Sequence, residues 1–97
     1  MPTCPVVIAT DHPAFPGHFP GQPIVPGVVL LDEAQRAVEA ALGHPVSGLA
    51  MAKFLSVVRP GEALELRYEA SAQAVRFSLH AGDRQVANGR FDLTPAP

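Results

Sequence analysis

The sequence predicts an α+β domain in which one apolar helix packs on one antiparallel sheet. Three observations carry this. One stretch, Gly27 to Leu42, places its apolar residues at helical spacing. Three later runs alternate apolar and polar residues strictly, as antiparallel strands with one buried face do. The order along the chain is one strand, one helix, then four strands, which suits two layers. Ninety-seven residues make a single domain, 1–97.

Each element has its own grounds. Val6-Val7-Ile8-Ala9 is a short β-branched run and reads as the first strand. Residues 11–26 are irregular. Pro20, Pro23 and Pro26 each fix φ and restrict the residue before them, so this loop is stiff without a ladder. In the helix, Val28, Leu31, Ala34, Val38, Ala41 and Leu42 form an apolar stripe that Leu30 and Ala37 widen. Asp32, Gln35, Arg36 and Glu39 share the other face. Gly43 is the expected C-terminal cap, with Pro45 beyond it. Leu49 to Val58 reads as the second strand, closed by Arg59-Pro60-Gly61. In the third, Leu64, Leu66, Tyr68 and Ala70 alternate with Glu65, Arg67 and Glu69. In the fourth, Val75, Phe77 and Leu79 alternate with Arg76, Ser78 and His80. In the fifth, Ala87, Gly89, Phe91 and Leu93 alternate with Val86, Asn88, Arg90 and Asp92. Gly82-Asp83 marks the turn between the last two.

Composition narrows the function classes. With 47% hydrophobic and 16% charged residues, the chain has the apolar content that disordered segments lack. So small a domain with so little surface charge is expected to hide part of its surface in a subunit contact. The net charge of −2, with seven basic residues that form no run, argues against nucleic acid. The single Cys4 cannot form an internal disulfide; beside Pro5 in an apolar strand it reads as a buried, inert thiol. The four histidines and one cysteine lack ligand-pair spacing, so no metal is expected. No stretch of roughly 18 apolar residues and no charged leader is present, so no membrane contact is expected and the location is read as cytoplasmic.

The chemistry is concentrated between His18 and Asp32, in His18-Phe19-Pro20-Gly21-Gln22-Pro23-Ile24-Val25-Pro26-Gly27-Val28-Val29-Leu30-Leu31-Asp32. A histidine stands in a stiff loop, and a carboxylate follows near the start of a helix. His18 has an unperturbed pKa near working pH, which suits a general base. The loop histidine taken alone is an ordinary surface residue, and so are His12, His44 and His80. Asp32 with Arg36 one turn on is equally a plain ion pair on a solvated helix. Glu33 is the neighbouring carboxylate, but it projects about 100° away around the helix. Gly27 opens the helix, where an N–H has no partner in the helix and carries positive dipole.

This segment resembles the signature of the β-hydroxyacyl-thioester dehydratases of the hot-dog fold. Phe15, Gly17, His18, Phe19, Pro20, Gly21, Pro23, Pro26, Gly27 and Asp32 all fit it, spaced without gaps. A second stretch, Ala52 to Leu64, resembles the family's strand and Pro-Gly turn after the central helix. The resemblance implies a sheet curled around the helix. It implies His18 as the base that removes the α proton and Asp32, or a water it holds, as the acid for the departing 3-hydroxyl. The Gly27 N–H would hold the carbonyl oxygen as enolate character grows, with Phe19, Pro26 and Val28 lining the acyl site. No external cofactor is implied, because the thioester itself acidifies the α proton.

The implied substrate is an acyl group on the phosphopantetheine arm of an acyl carrier protein. The implied assembly is a homodimer, an assembly of dimers, or a heterodimer, with the histidine and the acid of each site on different chains. Arg36 stands where the family usually has glutamine, so it would tune Asp32 by favouring its ionised form. The chain is also shorter than most members and is nearer the compact dehydratases of accessory fatty-acid or polyene clusters. Two other readings stand beside this one. A hot-dog thioesterase needs a carboxylate to activate water but no His-Phe-Pro-Gly loop. A non-catalytic hot-dog subunit would bind acyl chains or complete another subunit's site.

Overall fold

Among residues 2–8 and 24–93, which the computed structural model describes, one helix faces a five-stranded antiparallel sheet. The elements are β1 (Thr3–Val7), α1 (Gly27–Leu42), β2 (Gly48–Phe54), β3 (Ala63–Ala70), β4 (Ala74–Ala81) and β5 (Arg84–Asp92). Strand order is β1-β3-β4-β5-β2, so β1 and β2 are the edges. The α+β expectation holds. The loop that carries His18 and Phe19 lies outside the described residues, as do Phe15 and Gly17.

Alternation sets the sheet's two faces. Leu64 and Leu66 of β3, Val75, Phe77 and Leu79 of β4, and Ala87, Gly89 and Phe91 of β5 are buried, and the residues between them are exposed or half-buried. These inward side chains meet Val29, Leu30, Ala34 and Val38 of α1, with Val6, Ile8, Val25 and Val58 closing the ends. The Phe77 and Phe91 rings stack at 4.6 Å between centroids. Gly89 makes room for this packing, because a Cβ there would stand 2.8 Å from Phe77 Cζ and overlap the Met51 carbonyl oxygen. The β4–β5 turn is Gly82-Asp83 as expected, with Gly82 at φ 61.

Four local expectations need correction. The first strand is Thr3–Val7 rather than Val6–Ala9, since β3 offers partners from Arg67 back to Ala63. The second ends at Phe54, not Val58: the N–H groups of Leu55 and Ser56 both donate to the Val86 carbonyl, which no regular ladder allows. Val86 itself is buried rather than outward. The pairing passes from Leu79↔Ala87 to His80↔Gln85, so Val86 is the extra residue of a bulge.

The helix stripe is also rotated. Val29 is buried, whereas Val28 is 72% exposed and Ala41 is exposed. Val28-Val29-Leu30-Leu31 wraps most of the circumference at about 100° per residue, so periodicity could not choose a face there. Gly43 ends the helix as expected, at φ 80, and its N–H donates to the Glu39 carbonyl. No helix of the described residues is long and apolar enough to cross a membrane.

Candidate active site

The start of α1 is held by the connection between β2 and β3. Val25, fully packed before the helix, donates its N–H to the Val58 carbonyl at 2.7 Å. The connection is itself fixed by a charged clamp. Arg84 of β5 donates to the Val57 carbonyl at 3.2 Å and to Glu62 Oε1 at 2.7 Å. Glu62 Oε2 accepts from the Arg59 N–H, which closes the Arg59-Pro60-Gly61 turn, and Gly61 at φ 80 donates to the Ile8 carbonyl. Sequence reasoning marked this turn but not Arg84 or Glu62 as its latch. An arginine and a glutamate 22 positions apart leave no local signal.

Pro26 is the N-cap, at φ −59 and ψ 146, and its carbonyl accepts from the N–H groups of Val29 and Leu30. No side chain caps the helix, and no acidic residue lies in its first turn. The positive end of the dipole at Gly27 is therefore not offset by a carboxylate of its own helix. Phe54, at the end of β2, lies over Gly27. A Cβ at position 27 would stand 2.7 Å from Phe54 Cζ, so glycine is what lets the ring approach. Phe54 is 51% exposed and Val28 beside it is more so. The helix start thus has a donor end beneath an uncovered apolar rim, an arrangement able to receive a carbonyl group attached to an apolar chain.

Asp32 is placed differently. It lies on the outward face of α1, half-exposed, with Oδ2 3.1 Å from Arg36 Nε. The i,i+4 ion pair expected from the sequence is present. Asp32 lies five residues beyond Gly27, roughly 7.5 Å along the axis and about 140° around it. Within one chain, then, the carboxylate and the helix-end N–H do not converge. The described residues bring together Pro26, Gly27 and Val28, and keep Asp32 and Arg36 apart from them. Cys4, in β1, is half-buried rather than fully buried, and burial raises its thiol pKa.

The model of the ApeI-like family, described as ApeI dehydratase, matches residues 2–90. The 3-hydroxyacyl-[acyl-carrier-protein] dehydratase FabZ of Chloroflexus aggregans is 40% identical over an alignment covering 82% of this chain and 60% of that protein. The FabZ of Thermus thermophilus is 39% identical, covering 92% of this chain and 75% of that one. The chain spans 60% of the length of the Chloroflexus relative and 55% of that from Thermomicrobium roseum. Among solved structures, the dehydratase heterocomplex ApeI:P from Xenorhabdus doucetiae matches with a TM-score of 0.77 at 26% identity, over 93% of this chain and 83% of that one. A variant of the fluoroacetyl-CoA-specific thioesterase FlK matches with a TM-score of 0.74 at 15% identity, over 95% of this chain and 85% of that one, which speaks to fold alone.

Proposed function

This chain belongs to the ApeI-like family of hot-dog dehydratases, and from that we propose that it eliminates water from a 3-hydroxyacyl thioester to give the trans-2-enoyl thioester. The observation that carries the reading is the start of α1: an uncapped helix end at Gly27, free of acid in its first turn, under the Phe54 ring. A thioester oxygen set against that end gains most as charge moves onto it, because the dipole is already oriented. His18 removes the α proton as general base. Asp32, or a water it holds, returns a proton to the departing hydroxyl. Phe19, Pro26 and Val28 line the acyl chain's path, and Arg36 orients Asp32 through their ion pair.

The acyl group comes on the phosphopantetheine arm of an acyl carrier protein, a reading supported by similarity to the 3-hydroxyacyl-[acyl-carrier-protein] dehydratases FabZ. The outward position of Asp32, roughly 140° around the helix from Gly27, supports a site shared by two chains, in which each Asp32 serves the partner's His18 and Gly27. The partner in this reading is a second copy; the dehydratase heterocomplex ApeI:P supports assembly of such chains into complexes. The experiment is direct: incubate the protein with a 3-hydroxyacyl thioester and follow enoyl product and free thiol together. Enoyl product without thiol supports dehydration, and thiol release supports the hydrolase instead. His18→Ala should lower enoyl formation by about 10²–10⁴-fold with the fold intact. A well-folded variant with near wild-type turnover would remove His18 from the reaction.

A further inference from the structure

The face of the sheet turned away from α1 carries a feature that this chemistry does not use. Cross-strand partners share a face, and two rows of partners cross the sheet there. One runs Arg67, Ser78, Asn88, Lys53; the next runs Glu69, Arg76, Arg90, Met51. Four of the seven basic residues of a chain with net charge −2 therefore stand on one face. Arg67, Arg76 and Arg90, with Ser78, Asn88 and Gln85 and the apolar Met51, Phe77 and Gly89, line a depression of about 410 Å³. That is within the range of small-molecule sites, about 300–1,000 Å³.

The fold does not call for this arrangement. Arg76 stands between Glu69 on one side and Arg90 on the other, and the like charges of Arg76 and Arg90 so placed destabilise a sheet. Arg67 pairs with Glu65 at 2.6 Å, but among the described residues no salt bridge includes Arg76 or Arg90. The charged part of the lining is one-sided, while Met51 and Phe77 supply an apolar floor beside it. Guanidinium groups only donate, and the serine and amide side chains between them can donate as well. The complement is a ligand rich in acceptors and negative charge.

We propose that this depression binds a small molecule bearing a diphosphate group. A guanidinium fork matches paired phosphate oxygens better than an ammonium does. The strands carrying Arg67 and Arg90 are two spacings apart, about 10 Å, a span that two linked phosphates bridge better than one. An acidic protein fits less well. Glu65 and Glu69 on β3 and Asp92 at the end of β5 flank the arginines and repel a broad acidic surface. Nucleic acid fits least, given those acids and the net negative charge.

The test is calorimetric titration with inorganic pyrophosphate at constant ionic strength, with inorganic phosphate run in parallel. Pyrophosphate should bind with Kd below about 1 mM, and phosphate at least about ten-fold more weakly. Arg76→Gln and Arg90→Gln should each weaken pyrophosphate by about ten-fold. Arg76→Lys, which keeps the charge and loses the fork, should fall between wild type and Arg76→Gln. Arg59→Gln, in the β2–β3 turn, should bind as wild type does. Amide chemical shifts should move on β3, β4 and β5 with pyrophosphate, and the unliganded spectra of the variants should report their folding. No heat up to about 10 mM pyrophosphate, equal weakening by Arg59→Gln, or shifts confined to other elements would overturn the proposal. A response to an acidic protein without one to pyrophosphate would overturn it too.

Discussion

At Gly27 one missing side chain serves two purposes. It lets the Phe54 ring approach the helix start, and it keeps a Cβ away from the N–H to which the proposed mechanism assigns the thioester oxygen. Gly27→Ala should therefore fold, since Phe54 is half-exposed and can swing aside, but should lower the enoyl-forming rate by about ten-fold or more as the carbonyl is displaced from the N–H. Steady-state kinetics beside a circular dichroism melt checks both halves, and wild-type rates would remove Gly27 from the oxygen site. His80 offers a second residue-level test, this time of stability. Its Nε2 lies 2.9 Å from Ser78 Oγ; burial lowers its pKa most, Arg67 lowers it further, and Glu65 opposes both. The folded state thus resists a proton that the unfolded chain accepts below about pH 6.5. Its contribution is complete above that pH and is lost as pH falls through the window down to the folded value. Melting temperatures from pH 8 to 5 should fall less steeply for His80→Gln than for wild type.

At the scale of elements, the clamp on the β2–β3 connection decides where α1 begins. Arg84→Ala removes a bond to the Val57 carbonyl and the ion pair with Glu62 together. Both groups are partly exposed, so the expected loss is about 1 kcal/mol, read from urea unfolding. Glu62→Gln, which keeps an acceptor, should lose less. A larger change in catalysis than in stability for Arg84→Ala would show that the clamp positions Gly27 through Val58 and Val25.

The elements also show what the sequence could convey. The alternation in β4 was legible because one side of that central strand is wholly buried, and the Gly82-Asp83 turn because a tight hairpin demands such residues. The end of β2 and the inward turn of Val86 were not: Val86 is the extra residue of a bulge beside the β4–β5 turn, and β2 ends where Leu55 and Ser56 both reach the carbonyl of that distant residue. Asp32 and its partner Arg36 were legible from helical spacing, and so was the angle between Asp32 and Gly27, while the Phe54 ring over Gly27 was not, because β2 and α1 meet only in the fold.

At the scale of the whole molecule, the two edges of the sheet are unequal. β1 carries Pro5, which has no N–H to offer a further strand. β2, Gly-Leu-Ala-Met-Ala-Lys-Phe, has no proline and one charge, and leaves Leu49, Met51 and Phe54 about half-exposed. Such an edge invites pairing, and a second copy joining β2 to β2 about a two-fold axis would cover it. Light scattering at micromolar concentration should give a dimeric mass, and a monomer would count against a shared site. If each site takes His18 from one chain and Asp32 from the other, then two inactive variants, His18→Ala and Asp32→Ala, should rescue each other. Unfolded together and refolded in equal amounts, roughly half of the dimers should be mixed. A mixed dimer gathers both lesions into one site and leaves the other intact, so the mixture should recover roughly a quarter of wild-type activity. No recovery, with mixed dimers confirmed by mass, would place both residues of a site in one chain. That result would also contradict the proposal that each Asp32, on the outward face of α1, serves a site in the partner.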